Sequence, residues 1–232
     1  MQVQSAFRLE REMVAIARQW LQQQRLFTKD EFYTPWGVCD LIGILLSEDR
    51  VNQRLSLGQR DPIGPPIRIA ILNRIPDLDT GRSISTRKLT SKLAALLSEE
   101  EVSLELTRLI KAGFVREGRK GRVQKINGWF PLHERIVALE LKLERVEEAL
   151  DQAISHLKFA TESYVGFPEE VALRVMKGRK VERFRSSGVG IVAVAQTGCS
   201  ILLRPESRDV RRDVILQMHC VERFWRSYIT GS

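Results

Sequence analysis

The segment between residues 135 and 167 constrains the fold more than any other part of this 232-residue sequence. Residues 135–143 are an apolar run with the alternation of a strand, residues 146–161 have the apolar spacing of a helix, and residues 163–167 are a second strand-like run. A strand, a helix and a strand joined by short connections form a parallel pair with a helical crossover. The sequence therefore predicts an α/β fold.

Further helix and strand signals lie on both sides of this segment. Ser98, followed by three glutamates, is typical of a helix start, because a serine caps the first amides and acidic groups complement the helix dipole. The other predicted elements are a helix at 6–21, a buried strand at 36–46, a loop at 47–61, helices at 67–75, 86–97 and 98–113, a two-stranded ribbon at 114–130, a helix at 169–176, a hairpin of strands 189–195 and 200–203, and a helix at 210–229.

Asp40 is a carboxylate inside the apolar run 36–46. Burial of an isolated charge in a strand is costly unless the charge is paired, binds a metal ion or lies at the strand end. Asp40 is therefore either part of a functional site or a strand-end residue that accepts a hydrogen bond from a backbone amide.

Glu140 and Lys142 are two residues apart in the strand at 135–143, so they project from the same face. They are either a solvated ion pair or part of a site. If this strand neighbours the one with Asp40, the two carboxylates form an oxygen site suited to Mg²⁺ or Mn²⁺, with the Leu141 carbonyl as a third ligand. Lys142 would then assist the water that attacks phosphorus.

The order of these residues resembles the PD-(D/E)xK, or restriction-endonuclease-like, nuclease superfamily: a helix Glu, a strand Asp, then Glu-x-Lys on the next strand. In the first helix, Glu10-Arg-Glu-Met-Val14 is similar to the helix opening of Holliday-junction resolvase relatives, which favours Glu10 over Glu12 as the helix carboxylate. The resemblance implies a mixed sheet flanked by helices, with Asp40 and Glu140 as metal ligands and Glu10 and Lys142 as catalytic residues.

The resemblance covers residues 6–46 and 134–203. Gln152 and His156 share one helical face and are similar to the Gln-x-x-x-Tyr motif of recombination nucleases, with His in place of Tyr. This similarity implies a catalytic role for Gln152. His156 is either part of the same motif or an ordinary surface residue of the helix.

The chain departs from the superfamily in the 99 residues between Asp40 and Glu140, where a short hairpin is usual. Residues 62–133 have the order helix, helix, helix, ribbon, and the end of the third helix is similar to that of a winged-helix (helix-turn-helix) domain. We therefore expect an α/β nuclease-like core interrupted by an inserted winged helix. The predicted division is 1–61 for the first part of the core, 62–133 for the insertion and 134–232 for the second part of the core.

Positive charge is concentrated in residues 62–133, which hold 13 of the 37 lysines and arginines but only 7 of the 29 acidic residues. Phosphate contacts need such a surface. However, Glu99, Glu100 and Glu101 make the start of the third helix acidic, which leaves either a contact led by the wing or a winged helix that binds protein. The residues predicted to contact nucleic acid are Lys88, Lys92, Arg116, Arg119, Lys120 and Arg122.

A second basic run lies between residues 174 and 185. It contains six lysines and arginines and the single acidic residue Glu182. The run either guides a nucleic-acid strand to the site or is a solvated loop.

The net charge of +8 favours a polyanionic partner. The three cysteines form no CxxC motif, and the predicted setting is cytoplasmic, without a membrane partner. We expect a Mg²⁺-dependent nuclease that acts on DNA rather than RNA, in defence, repair or mobile-element biology. The alternative is a catalytically silent nucleic-acid-binding or assembly factor with the same fold. A homodimer or a partner protein bound through the winged helix fits either function.

Overall fold

The computed structural model describes residues 7–126, 130–206 and 212–230. It confirms a mixed α/β structure whose main sheet is mixed and flanked by helices. No helix within the described ranges is long and apolar enough to cross a membrane. In chain order the elements are α1 (Arg11–Gln23), β1 (Phe27–Thr34), β2 (Gly37–Leu46), α2 (Glu48–Ser56), α3 (Pro66–Asn73), β3 (Ile84–Ser85), α4 (Thr86–Leu93), α5 (Glu99–Lys111), β4 (Val115–Glu117), β5 (Arg122–Lys125), β6 (His133–Leu141), α6 (Val146–His156), β7 (Glu162–Pro168), α7 (Glu169–Lys177), α8 (Val181–Ser187), β8 (Gly190–Ala195), β9 (Gly198–Leu203) and α9 (Val214–Thr230).

The chain divides into two compact units, each built from two segments of sequence. The first unit contains Met1–Leu45 and His133–Gln217, and the second contains Leu46–Leu132 and Met218–Ser232.

The second unit therefore holds α2 and most of α9, which the predicted division assigned to the core. A buried ion pair joins these two helices: Arg54 of α2 donates hydrogen bonds to both carboxylate oxygens of Glu222 in α9, at 2.6 and 3.0 Å. The guanidinium of Arg54 also lies over the rings of Phe114 and Trp225. These contacts join parts of the chain that no local pattern relates.

Six strands of the first unit form one sheet in the order β1-β2-β6-β7-β8-β9. β1 and β2 are antiparallel, β6, β7 and β8 are parallel, and β9 is antiparallel to β8. Because α6 joins the parallel strands β6 and β7, the predicted crossover is confirmed. The sheet order also makes β2 the direct neighbour of β6.

Both faces of this sheet are covered. On one face, Met13 of α1 packs with Leu139 and Leu141 of β6. On the other face, helices α6, α7 and α8 pack over Val165 of β7. Since strand side chains alternate, Glu140 points away from Leu139 and Leu141, to the face that α6, α7 and α8 cover. It is 1% exposed, so Glu140 is not part of a solvated pair.

In the second unit, helices α3, α4 and α5 accompany a small antiparallel sheet in the order β3-β5-β4. Ser98 begins α5 as predicted: its hydroxyl accepts a hydrogen bond from the Glu101 amide, and the Glu101 carboxylate accepts one from the Ser98 amide at 2.8 Å. The helix ends before Gly113, whose φ of 76° is the left-handed conformation that glycine adopts most easily.

Several predicted bounds and loops differ from the structure. The loop expected at 47–61 contains α2, the basic run at 174–185 contains α8, and β1 and β3 lie where no strand was expected. The first helix begins at Arg11, because residues 8 and 9 form a turn whose amides donate to the carboxylate of Glu12. The predicted first residues of the terminal helices, Ala6 and Val210, and ribbon residues Asn127, Gly128 and Trp129 lie outside the described residues.

Candidate active site

Asp40 and Glu140 lie on neighbouring strands, β2 and β6 of the first unit. The amide of Leu141 donates a hydrogen bond to Oδ2 of Asp40 at 2.7 Å, which fixes the Asp40 carboxylate next to β6. The amide of Leu141 thus makes the contact that the structure shows, while its carbonyl was the predicted ligand. Two carboxyl groups with 99 residues between them in sequence thus lie on adjacent strands of one sheet.

Lys142 directly follows β6, and its side chain returns to the same place. Its Nζ donates a hydrogen bond to Oε1 of Glu140 at 2.8 Å and lies 3.9 Å from Oε2 of Glu10. Lys142 is 7% exposed. The ammonium group is therefore enclosed with two carboxylates beside it.

Glu10, at the start of α1, is the helix carboxylate that reaches this cluster. Its Oε1 accepts a weak hydrogen bond of 3.4 Å from the amide of Leu143 and lies 3.7 Å from a guanidinium nitrogen of Arg145. Glu12 is exposed and caps the preceding turn. Arg145 was not among the predicted site residues, although it follows the Glu-x-Lys triplet by three positions.

Helix α6 contributes His156 to the cluster. Its Nε2 lies 3.9 Å from Oε2 of Glu140, and its ring packs against Phe159. His156 is 2% exposed and is therefore not a surface residue. Gln152, one turn earlier, makes no hydrogen bond to Glu140 or Lys142, and its Oε1 is buried without a hydrogen-bond partner among the described residues.

The two carboxyl groups resist joint ionisation. Burial raises the pKa of Glu140 to about 7, and repulsion from Asp40 acts in the same direction, against the hydrogen bond from Lys142. Burial also raises the pKa of Asp40, although its hydrogen bond with the Leu141 amide opposes the shift. Binding of a cation would remove this penalty and ionise both groups.

The pKa values of Lys142 and His156 shift in opposite directions. Burial acts to lower the pKa of Lys142, but the hydrogen bond to Glu140 and the surrounding carboxylates outweigh burial and raise it overall. Burial lowers the pKa of His156 to about 4, and the charge of Lys142 adds to this effect. At neutral pH Lys142 is therefore charged and His156 is neutral.

The donor set fits a hard divalent cation. Oε2 of Glu140 is buried without a hydrogen-bond partner among the described residues, so one carboxylate oxygen is left for a ligand. Within the described ranges, no group of three or more His, Cys, Asp or Glu side chains is arranged to hold a metal ion. Mg²⁺ does not require one, because it is often held by one or two carboxylates and retains several waters.

No family model matches the sequence, and no curated protein matches it. Among solved structures, the chain is similar to the SPO1766 protein of unknown function from Silicibacter pomeroyi, with a TM-score of 0.40 and 10% sequence identity, over 100% of this chain and 94% of that chain. The chemistry of the site therefore has to follow from its own residues.

The residues predicted to contact nucleic acid all lie in the second unit. Arg116 is exposed on β4, and Arg119 and Lys120 are exposed at the tip between β4 and β5. Arg122 is held in place: its guanidinium donates hydrogen bonds to the hydroxyl of Ser83, at 2.6 Å, and to the carbonyl of Ser83. The tip thus carries two exposed cations, Arg116 adds a third on β4, and Arg122 is fixed beside β3.

A groove of about 570 Å³ in the second unit joins Lys88 and Lys92 of α4 to Arg122. Arg82, which sequence reasoning missed, lines the same groove just before β3. Among the described residues that line it there is no carboxylate. Such a groove attracts a polyanion, and the excess of basic residues in 62–133 was the signal for it.

Proposed function

We propose that the protein is a Mg²⁺-dependent nuclease of the PD-(D/E)xK type that cleaves phosphodiester bonds of DNA. The observation that carries the proposal is the cluster of Asp40, Glu140 and Lys142 on adjacent strands, with Nζ of Lys142 2.8 Å from Glu140. The raised pKa of both carboxyls supports it, because charge that the protein alone does not compensate is typical of functional sites.

The order of elements in the first unit supports the restriction-endonuclease-like fold. A helix with Glu10, a strand with Asp40 and a neighbouring strand with Glu140 and Lys142 follow one another, and a crossover helix then leads to a parallel strand. The second unit interrupts this order between β2 and β6, as the resemblance requires of an inserted domain.

Each side chain has a distinct part in the proposed chemistry. A bound Mg²⁺ would stabilise charge on the phosphate and supply an acidic water. Asp40 and Glu140 would hold the cation, and the charged Nζ of Lys142 would orient the attacking water or stabilise the developing negative charge. Glu10 fixes the backbone after Lys142 through the amide of Leu143. Neutral His156 encloses Glu140 and adds no positive charge that would compete with the cation for this carboxylate.

The second unit fits a winged helix that binds the nucleic-acid backbone. Its order α3, β3, α4, α5, β4, β5 and its sheet order β3-β5-β4 support this proposal, in which the wing would lie between β4 and β5. The exposed cations lie on the wing and in the groove lined by α4. The exposed start of α5 is acidic, so we propose that the wing and α4, rather than α5, contact phosphate.

An assembly factor without hydrolytic activity is the second candidate. Leu96 is 70% exposed and Leu104, on α5, is 53% exposed. Both lie in the same helix–turn–helix segment as the acidic residues Glu99 and Glu100. This combination suits a protein partner better than a phosphate backbone.

The test is Mg²⁺-dependent cleavage of linear duplex DNA, single-stranded DNA and RNA by purified protein. We expect the wild type to cleave DNA, and Glu140→Gln or Lys142→Met to lower the rate by about 10²–10⁴-fold. Binding measured in EDTA should change only a few-fold. Glu134→Gln, which removes an exposed carboxyl from the same strand, is the matched control and should retain activity. Absence of cleavage by the wild type on every substrate would favour the assembly factor.

A further inference from the structure

A cavity of about 560 Å³ lies in the first unit, beside the segment that follows the Glu-x-Lys strand. Its volume is within the range of about 300–1,000 Å³ that is usual for small-ligand sites. Val146 and Val175 supply an apolar wall. Arg174, Arg179 and Lys180 supply positive charge, and Glu144 is the acidic residue among its described lining residues.

Two of these cations are available for a ligand. Arg174 and Arg179 are exposed, and no ion pair joins either to a carboxylate within the described part of the chain. Lys180, by contrast, is paired with Glu147 at 3.2 Å. The cavity thus offers two unpaired guanidinium groups next to an apolar surface, and guanidinium groups bind phosphate in a bidentate manner.

The cavity adjoins the candidate active site through the chain itself. Glu144 lines the cavity two residues after Lys142, so covalent geometry keeps their Cα atoms within about 7 Å. The intervening Leu143 amide contacts Glu10. One strand of nucleic acid advances about 3.4 Å per nucleotide along a helix axis, so this distance corresponds to roughly two nucleotides.

We propose that this cavity is a subsite for one unpaired nucleotide that lies within about two nucleotides of the cleaved bond. It rests on the proposed nuclease function and names its substrate class, a single strand or an unpaired end of DNA. Arg174 and Arg179 bind the phosphate, and the base packs on Val146 and Val175. A base can enter such a cavity only when it is released from its stack, which excludes the interior of an intact duplex.

The test compares two charge-matched double variants in the full-length protein. Arg174→Ala/Arg179→Ala removes the two cavity cations. Lys177→Ala/Arg185→Ala removes two exposed cations from the same helical region, neither of which lines the cavity. Binding of a labelled single-stranded DNA of about ten nucleotides is measured by fluorescence anisotropy in EDTA, at several salt concentrations, with blunt duplex DNA as the second probe.

We expect the cavity variant to weaken single-strand binding by about tenfold or more and to lower the salt slope by about 0.7 for each lost phosphate contact. The control variant should change the affinity by less than about threefold. Duplex binding should change equally little in both variants. Equal loss in the two variants, no loss in either, or no single-strand binding by the wild type overturns the subsite.

Val146→Phe fills the cavity without changing its charge and should also weaken single-strand binding, whereas unchanged binding would overturn the role of the cavity. If this variant does not fold, as checked by circular dichroism, the arginine pair decides. Because EDTA prevents hydrolysis, the subsite and the nuclease are tested separately. If the wild type cleaves DNA but the two double variants bind single strands equally well, only the subsite proposal is ruled out. If the double variants differ in binding but the wild type does not cleave, only the nuclease proposal is ruled out.

Discussion

Glu140 is a carboxyl group enclosed on a sheet face where the nearby carboxyl of Asp40 disfavours its charge. A residue that served only to stabilise the fold would be better replaced by an apolar side chain of similar size, because buried ion pairs seldom gain more than their desolvation costs. We therefore interpret the cluster of Glu140, Lys142 and Asp40 as a site in which a bound cation compensates the charges of the two carboxylates.

The pKa of Glu140 predicts a specific pH dependence of stability in the metal-free protein. The folded pKa of about 7 lies above the ordinary glutamate pKa of 4.5, so folding favours the protonated form. This contribution is complete below pH 4.5 and is lost as the pH rises through 7. In EDTA, the free energy of unfolding of the wild type relative to Glu140→Gln should fall by roughly 1–3 kcal/mol between pH 5 and pH 8.

Urea denaturation at four pH values measures this difference, with Glu134→Gln as the control for loss of an exposed carboxyl on β6. A difference between wild type and Glu140→Gln that stays constant with pH would show that Glu140 is ionised throughout.

The side-chain cluster could be predicted from the sequence only in part. Strand alternation placed Glu140 and Lys142 together, and the apolar context marked Asp40, which is half-buried, as a carboxylate that needs a partner. The contact between Asp40 and β6 could not follow from any local pattern, since it depends on the sheet order. The burial of His156 was also missed, because an i,i+4 pair on a helix does not reveal which face the sheet covers.

At the scale of elements, strongly apolar strands and capped helices were predictable and polar elements were not. β1 is an edge strand with five polar residues in Phe-Thr-Lys-Asp-Glu-Phe-Tyr-Thr, so no alternation marks it. β3 has two residues, too few for any pattern. In α2 only Val51 and Arg54 are buried. Because arginine is seldom buried, the sequence does not indicate that Arg54 is a core residue.

The segment between β4 and β5, which is the proposed wing, provides the prediction for the second unit. Arg119→Ala/Lys120→Ala should lower the slope of log affinity against log salt on duplex DNA by about 2, because each phosphate contact contributes about 0.9. Arg108→Ala/Lys111→Ala removes the same charge from α5 and should leave the slope unchanged. Glu105 keeps its ion pair with Arg68 in that control.

Fluorescence anisotropy over a range of salt concentrations distinguishes three cases for the second unit. A reduced slope for the wing variant alone supports phosphate contact by the wing. Equal reductions in both double variants would assign contact to α5 as well. Two unchanged slopes would favour a unit that binds protein through the exposed Leu96 and Leu104.

At the scale of the whole molecule, the sequence predicted an interruption of the core but not the extent of the second unit. The interruption followed from the 99 residues between Asp40 and Glu140 together with the change in charge after residue 62. The buried pair Arg54–Glu222 joins α2 to α9, and its partners are 168 residues apart. A charged pair of this kind carries no hydrophobic signal, so its burial emerges only from the fold.

The central claim is that Asp40 and Glu140 together hold a divalent cation beside Lys142. The most direct measurement is anomalous diffraction from crystals soaked in Mn²⁺, which replaces Mg²⁺ at oxygen sites. We predict one anomalous peak within coordination distance of both carboxylates in the wild type, and its loss in Asp40→Asn. The account would be contradicted if crystals soaked in saturating Mn²⁺ showed no peak at these carboxylates while Lys142 kept its hydrogen bond to Glu140.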